Sequence, residues 1–189
     1  MGKEKGRVPL LERDQVPPQL AALYDALLAT RGVVPNMFRA AAHAPAVALG
    51  FAALLKPLLS DGGLPGWYKE LIATRVSLLN QSEYAVKGHS TSARQKGATE
   101  AQVEGVKDFE NGPFTEAEKT GFRFADRLHQ SAQAVDDAFY ATVKSVYDDQ
   151  QIVELTATAA TFELFPRFVD GLRIPITPAP APVGGPKKV

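Results

Sequence analysis

The chain has 189 residues, 45% hydrophobic and 22% charged, which suits one domain with a sizeable core. Its 21 Lys and Arg balance its 21 Asp and Glu, so no global field draws it to nucleic acid or an anionic membrane, and neither is expected as a partner. With no cysteine it can form no disulfide, no thiolate metal site and no thiol redox centre.

The stretch from Met1 to Val8 is charged and has no apolar core of the kind a secretory signal needs. No apolar run reaches the length that a bilayer requires, and the expected location is cytoplasmic. Residues 1–15 read as an N-terminal arm, 16–173 as a helical domain and 174–189 as a proline-rich tail, extended or disordered. Pro17-Pro18 opens a helix to about Thr30, with an apolar face of Leu20, Leu23, Leu27 and Leu28. A short helix follows over Pro35–Ala42. Pro45 then opens another to about Leu59, which Pro57 should kink or end. That helix carries Val47, Leu49, Phe51, Leu54, Leu55 and Leu58 around its circumference, more than one core-facing stripe needs, so a homo-oligomer is expected.

After the turn at Asp61-Gly62-Gly63, Pro65 starts a helix to about Asn80 with Leu71, Ile72, Val76 and Leu79 on one face. The next runs from about Ser82 to Lys96, capped by Gly97. Thr99 with Gln102 and Thr115 with Glu118 are capping boxes, the second opening a helix to about Gln130. Helices are predicted over about Val135–Val146 and Asp148–Phe165, with Asp136, Asp137, Asp148 and Asp149 explained by capping. No segment alternates with β-branched enrichment, so the expected fold is all-α, a bundle of about seven or eight helices without a sheet.

The chemistry concentrates in residues 70–89. Ser82, Ala85 and His89 are spaced to share one helix face, and Glu70 lies on the preceding helix. The short link at Asn80-Gln81 lets the two helices pack side by side. At 1.5 Å rise per residue, Glu70 and His89 then lie at similar heights. A carboxylate fixes an imidazole's tautomer and makes the pair a unit for proton transfer near neutral pH. Ser82 stands about two turns, roughly 10 Å, from His89, which disfavours a Ser–His nucleophile pair. Taken alone, a histidine on a helix is more often a surface or satisfied core residue, and a glutamate early in a helix is favoured by the dipole. Tyr84 could line a pocket. Arg39, Arg75 and Arg167 could each grip a substrate carboxylate, although an ion pair with a local acid is the commoner role. His43 reads as a loop contact and His129 as a charge complementing a helix C-terminus. The three histidines lack metal-ligand spacing, and neither metal nor other cofactor is expected.

The run from Glu70 through Ser82-Glu83-Tyr84-Ala85 to His89 resembles the carboxymuconolactone decarboxylase/AhpD family. That core reads Glu, eleven residues, then Cys-x-x-Cys-x-x-x-His. Glu70 and His89 hold the Glu and His positions, Ser82 the first Cys and Ala85 the second. The Glu83-Tyr84 pair is similar to the decarboxylase branch. Gly32-Val33-Val34-Pro35-Asn36-Met37-Phe38-Arg39 and Arg167-Phe168-Val169-Asp170-Gly171-Leu172 extend the likeness from about Val8 to Pro175, with Pro166 where the family often has Asn. The resemblance implies an all-helical, usually oligomeric AhpD-like fold. It also implies peroxidase chemistry in the branch with two thiols, which serine and alanine cannot perform.

Two functions are therefore expected. One is a non-redox enzyme with Glu70 and His89 catalytic and Ser82 and Tyr84 contacting substrate, performing a decarboxylation, isomerisation or lyase step on a small carboxylated molecule. The other is a non-catalytic oligomeric binding or structural protein of the same fold.

Overall fold

The computed structural model describes residues 6–179. Among them lie nine α-helices, three short 3₁₀ turns and no strand. The helices are α1 (Pro18–Arg31), α2 (Asn36–Ala41), α3 (Pro45–Leu58), α4 (Gly66–Leu79), α5 (Glu83–Gln95), α6 (Glu100–Gly105), α7 (Glu116–Gln130), α8 (Asp137–Val146) and α9 (Asp149–Gly171). The all-α expectation holds, and the nine helices are one or two more than the seven or eight expected.

Two compact units make up the chain: one combines the residues up to Leu54 with those from Leu172 onward, and the other runs from Leu55 to Gly171. In the first, Leu20 and Tyr24 of α1 and Met37 and Phe38 of α2 are buried. The apolar face of α1 thus differs from the expected one: it runs along Leu20, Ala21 and Tyr24, while Leu28 is 55% exposed. Tyr24, one turn after Leu20, supplies the larger buried ring and donates from Oη to Leu11 O at 3.2 Å. The described part of the N-terminal arm is tied down: Arg7 N donates to Leu172 O at 2.8 Å, and Leu11 N to Arg39 O at 3.1 Å. The first residues of the proline-rich tail are extended and held by Asn36, whose Nδ2 donates to Pro175 O at 2.9 Å and whose backbone N–H donates to Thr177 Oγ1 at 2.9 Å. What is expected of residues 180–189 of the tail and 1–5 of the arm lies outside the described residues.

The second unit is built around α4, which packs against α5, α7 and α9. The single apolar face expected for α4 is an understatement. Ten of its residues are buried, including Lys69, Glu70, Thr74 and Ser77. Polar side chains survive there because each has a partner. Thr74 Oγ1 donates to Glu70 O at 2.8 Å, Ser77 Oγ to Ala73 O at 2.6 Å, and Lys69 Nζ to Glu154 of α9 at 2.9 Å. Both capping boxes form, Thr99 with Gln102 and Thr115 with Glu118. Asp136 accepts from Phe139 N at 2.7 Å and Asp148 from Gln151 N at 2.8 Å, the capping roles expected of them.

The last helix departs from expectation, running through Pro166 to Gly171 rather than stopping at Phe165. Proline removes one ladder hydrogen bond. Phe162, Phe165, Pro166 and Val169 are all buried, so packing on both sides of the proline outweighs that loss. Arg167 Nη1 donates to Glu163 O at 2.5 Å, which adds a side-chain bond beside the interruption.

Candidate functional site: a buried glutamate between His89 and Lys96

The site begins with the reversal between α4 and α5. Asn80 closes α4, Gln81 takes a left-handed φ of 56°, and Ser82 opens α5 as its N-cap. Ser82 N donates to Ser77 O at 3.0 Å and Gln81 N to Leu78 O at 3.0 Å, so the left-handed residue lets the turn satisfy carbonyls at the end of α4. The chain then doubles back, and α5 runs along α4.

That return brings His89 onto Glu70. His89 Nδ1 lies 2.7 Å from Glu70 Oε2, and the Glu70 side chain is 1% exposed against 17% for His89. Burial by itself would raise the Glu70 carboxyl, but the hydrogen bond and charge of His89, with the charge and hydrogen bond of Lys96, outweigh it and hold Glu70 below its ordinary range. An ionised carboxylate only accepts, so Nδ1 carries the hydrogen and donates, and Nε2 is the ring nitrogen left to exchange a proton. The ring of Phe162 in α9 meets the imidazole edge to face, with centroids 4.2 Å apart and planes at 73°. The carboxylate and Phe162 thus fix the imidazole from two sides.

Lys96, which the sequence reading treated only as a helix end, completes the cluster. Its Nζ donates to Glu70 Oε1 at 2.6 Å and to Leu59 O at 2.6 Å. The signal available in the sequence was its spacing: it caps α5 seven residues, two turns, after His89.

The remaining expected residues fall elsewhere. Ser82 is fully buried and its Oγ accepts from Ala85 N at 3.5 Å, so its observed role is to cap α5. Ala85 is buried beside it, and Tyr84 is half-buried on α5. Each of the three arginines is engaged by a local acid: Arg39 with Glu12, Arg75 with Asp126 through two bonds of 2.7 and 2.8 Å, and Arg167 with Glu163. His43 Nε2 meets Pro9 O at 2.9 Å, the loop contact expected. His129 does more than complement a helix end: its Nδ1 lies 2.6 Å from Glu163 Oε1, and Glu163 also accepts from Asn80 Nδ2 at 3.0 Å. An open cleft of about 420 Å³ is lined by Arg75, Lys107, Phe109, Arg123, Arg127 and Phe139 among others, and includes none of Glu70, His89 or Lys96. Its guanidiniums are occupied: Arg123 pairs with Glu110, Arg75 with Asp126, and Arg127 lies 4.0 Å over the Phe139 ring. Among the described residues no group of His, Asp and Glu could hold a metal ion.

This helical frame is an AhpD-like all-α fold. Residues 45–110, which contain Glu70, His89 and Lys96, match the model of the carboxymuconolactone decarboxylase family. Solved structures share the fold over most of their length. A peroxidase-related protein from Ralstonia eutropha JMP134 with an alkylhydroperoxidase AhpD core matches 91% of this chain and 92% of its own, with TM-score 0.85 and 22% identity. A peroxidase-related protein from Silicibacter sp. TM1040 matches 92% and 94%, with TM-score 0.84 and 20% identity. The debrominase Bmp8, solved in complex with 2,3,4-tribromopyrrole, matches 93% and 96%, with TM-score 0.80 and 22% identity. In sequence, the chain is 40% identical over 53 residues to the "Uncharacterized protein 4 in cox locus" of Paracoccus denitrificans, a match covering 28% of this chain and 48% of that protein. The chain therefore spans about half the length of that curated relative.

Proposed function

We propose that the protein is a cytoplasmic, homo-oligomeric enzyme that moves a proton next to a carbonyl on a small carboxylated substrate. The reaction class is decarboxylation, isomerisation or a related lyase step without redox chemistry. The observation that carries this reading is the 2.7 Å contact between His89 Nδ1 and the buried, ionised Glu70, in a chain with no cysteine. In this role His89 takes the proton at Nε2 and returns it to the carbanion or leaving group, while Glu70 holds the tautomer and stabilises the imidazolium. Tyr84 is the proposed substrate contact on the same helix. Thiol peroxidase chemistry, which needs an attacking thiolate and a sulfenic acid, is closed to this chain: the two family thiol positions are Ser82 and Ala85.

The test is proton exchange in deuterium oxide. The intact protein is incubated with a panel of small keto acids, unsaturated lactones and their carboxylates, and carbon-bound deuterium and product are followed by NMR. Exchange or conversion by the parent protein, reduced about 10²–10⁴-fold in His89→Ala, is expected. Full turnover by His89→Ala would overturn the assignment. Ligands that raise the melting temperature but never exchange would favour the non-catalytic binding protein instead.

A further inference from the structure

Glu70 is shared. One carboxylate oxygen takes His89 Nδ1 at 2.7 Å, and the other takes Lys96 Nζ at 2.6 Å. Lys96 is anchored by a second bond to Leu59 O at 2.6 Å, so the ammonium is placed by two elements rather than swinging freely. The side chain of Glu70 is 1% exposed, and water cannot screen it as it would a surface carboxylate. A buried carboxylate facing imidazole alone would pull strongly toward the imidazolium form. A second cation on its other oxygen neutralises part of that charge and repels a proton arriving on the ring.

We propose that Lys96 is the positioning residue of this site: by sharing Glu70 it fixes the carboxylate's plane and tempers its pull on His89, so that the imidazole keeps a usable lone pair at Nε2. The inference deepens the proton-transfer reading, since a base that binds its proton too readily is occupied before substrate arrives. His89 meets the charged Glu70 of α4 directly, Lys96 at the C-cap of α5 reaches it through the other oxygen of that carboxylate, and α9 presents the apolar ring of Phe162. The neighbouring Lys69 is directed to Glu154 instead.

The experiment needs no substrate. Histidine ring resonances of the full chain, labelled with ¹⁵N and ¹³C, are followed against pH in the parent, Lys96→Met, Lys96→Gln and Lys96→Arg. His43 and His129 serve as internal references for folding. The midpoint of the His89 titration should move upward in both Lys96→Met and Lys96→Gln, stay near the parent's in Lys96→Arg, and leave the other two histidines unmoved. A Lys96 that only packs would loosen the Glu70–His89 contact when removed, giving an unchanged or lower midpoint. Either of those results, in whichever neutral variant keeps the reference histidines native, overturns the proposal. Because the readout is a titration, it is separate from the deuterium-exchange assay: the charge sharing can hold where catalysis fails, and the reverse.

Discussion

Gly121 lies inside α7, where alanine would ordinarily be better by about 1 kcal/mol. Two buried tyrosines explain the glycine. Tyr68 Oη donates to Glu118 O at 2.7 Å and Tyr147 Oη to Ala117 O at 2.5 Å, so both hydroxyls press on one turn of α7. A Cβ at Gly121 would stand 2.1 Å from Tyr68 Oη and 2.9 Å from Tyr147 Oη. Overpacking a core costs about 1–3 kcal/mol, and displacing a buried hydroxyl from its acceptor costs about 1–3 kcal/mol more, so the clash wins over helix propensity. Gly121→Ala should therefore lower stability in urea denaturation by roughly 1–3 kcal/mol or more. A variant as stable as the parent would show that the tyrosines can move aside without loss.

At the scale of elements, the loop before α4 is fastened to α9 by one side chain. Glu154 accepts from Gly63 N at 2.9 Å, Leu64 N at 3.0 Å and Lys69 Nζ at 2.9 Å. Burial would raise this carboxyl, but the two backbone N–H groups, with Lys69 and Gln150, draw it from 4.5 down to about 2. A depressed folded value means that the contribution is fully present above about pH 4.5 and is lost as pH falls through about 2. Lys69 is 2% exposed, so removing its partner strands a buried cation. Glu154→Ala should cost about 3–5 kcal/mol at neutral pH. It should also flatten the parent's loss of stability between pH 4.5 and 2. Chemical denaturation across that range checks both. A variant with the parent's full acid slope would assign the slope to other carboxylates. Since α4 carries Glu70, this fastening also steadies the candidate site.

At the scale of the whole molecule, α3 is the element that points to assembly. It is strongly apolar, yet Ala48 is its only buried residue, and Val47 at 43%, Leu49 at 36% and Leu54 at 43% face outward. Exposed apolar side chains on more than one side of a helix, with Val47 and Leu54 two turns apart on the same side, are what a second copy of the chain would cover. Multi-angle light scattering at micromolar concentration should show a homo-oligomer, and Leu54→Glu should shift it toward monomer. A strict monomer for the parent chain would reject the interface. The absence of cysteine makes a second molecular prediction: metal-free protein should not reduce an alkyl hydroperoxide at the expense of a thiol donor. Steady thiol-dependent turnover of peroxide would contradict it. None of the described helices is long and apolar enough to cross a membrane.

The sequence by itself determined what local rules control. Prolines at helix starts, the Thr99 and Thr115 capping boxes and the acidic caps mark most helix boundaries because each satisfies groups within a few residues of itself. The spacing of Glu70, the Asn80-Gln81 link and His89 sufficed to expect their meeting, since two helices joined by a short turn pack antiparallel. Only the tertiary structure decided the rest. The helix through Pro166 persists because distant residues bury Phe162, Phe165 and Val169 around it. The apolar face of α1 centres on Tyr24 because of what packs there, not because of leucine spacing. Ser82 belongs to a buried cap, and Lys96 to the site, because burial and the convergence of Leu59, Glu70 and Lys96 depend on how separate elements come together. Lys96 meets Leu59 and Glu70 across residues far apart in sequence, and although its spacing from His89 is visible in the chain, no periodicity within one helix encodes that meeting.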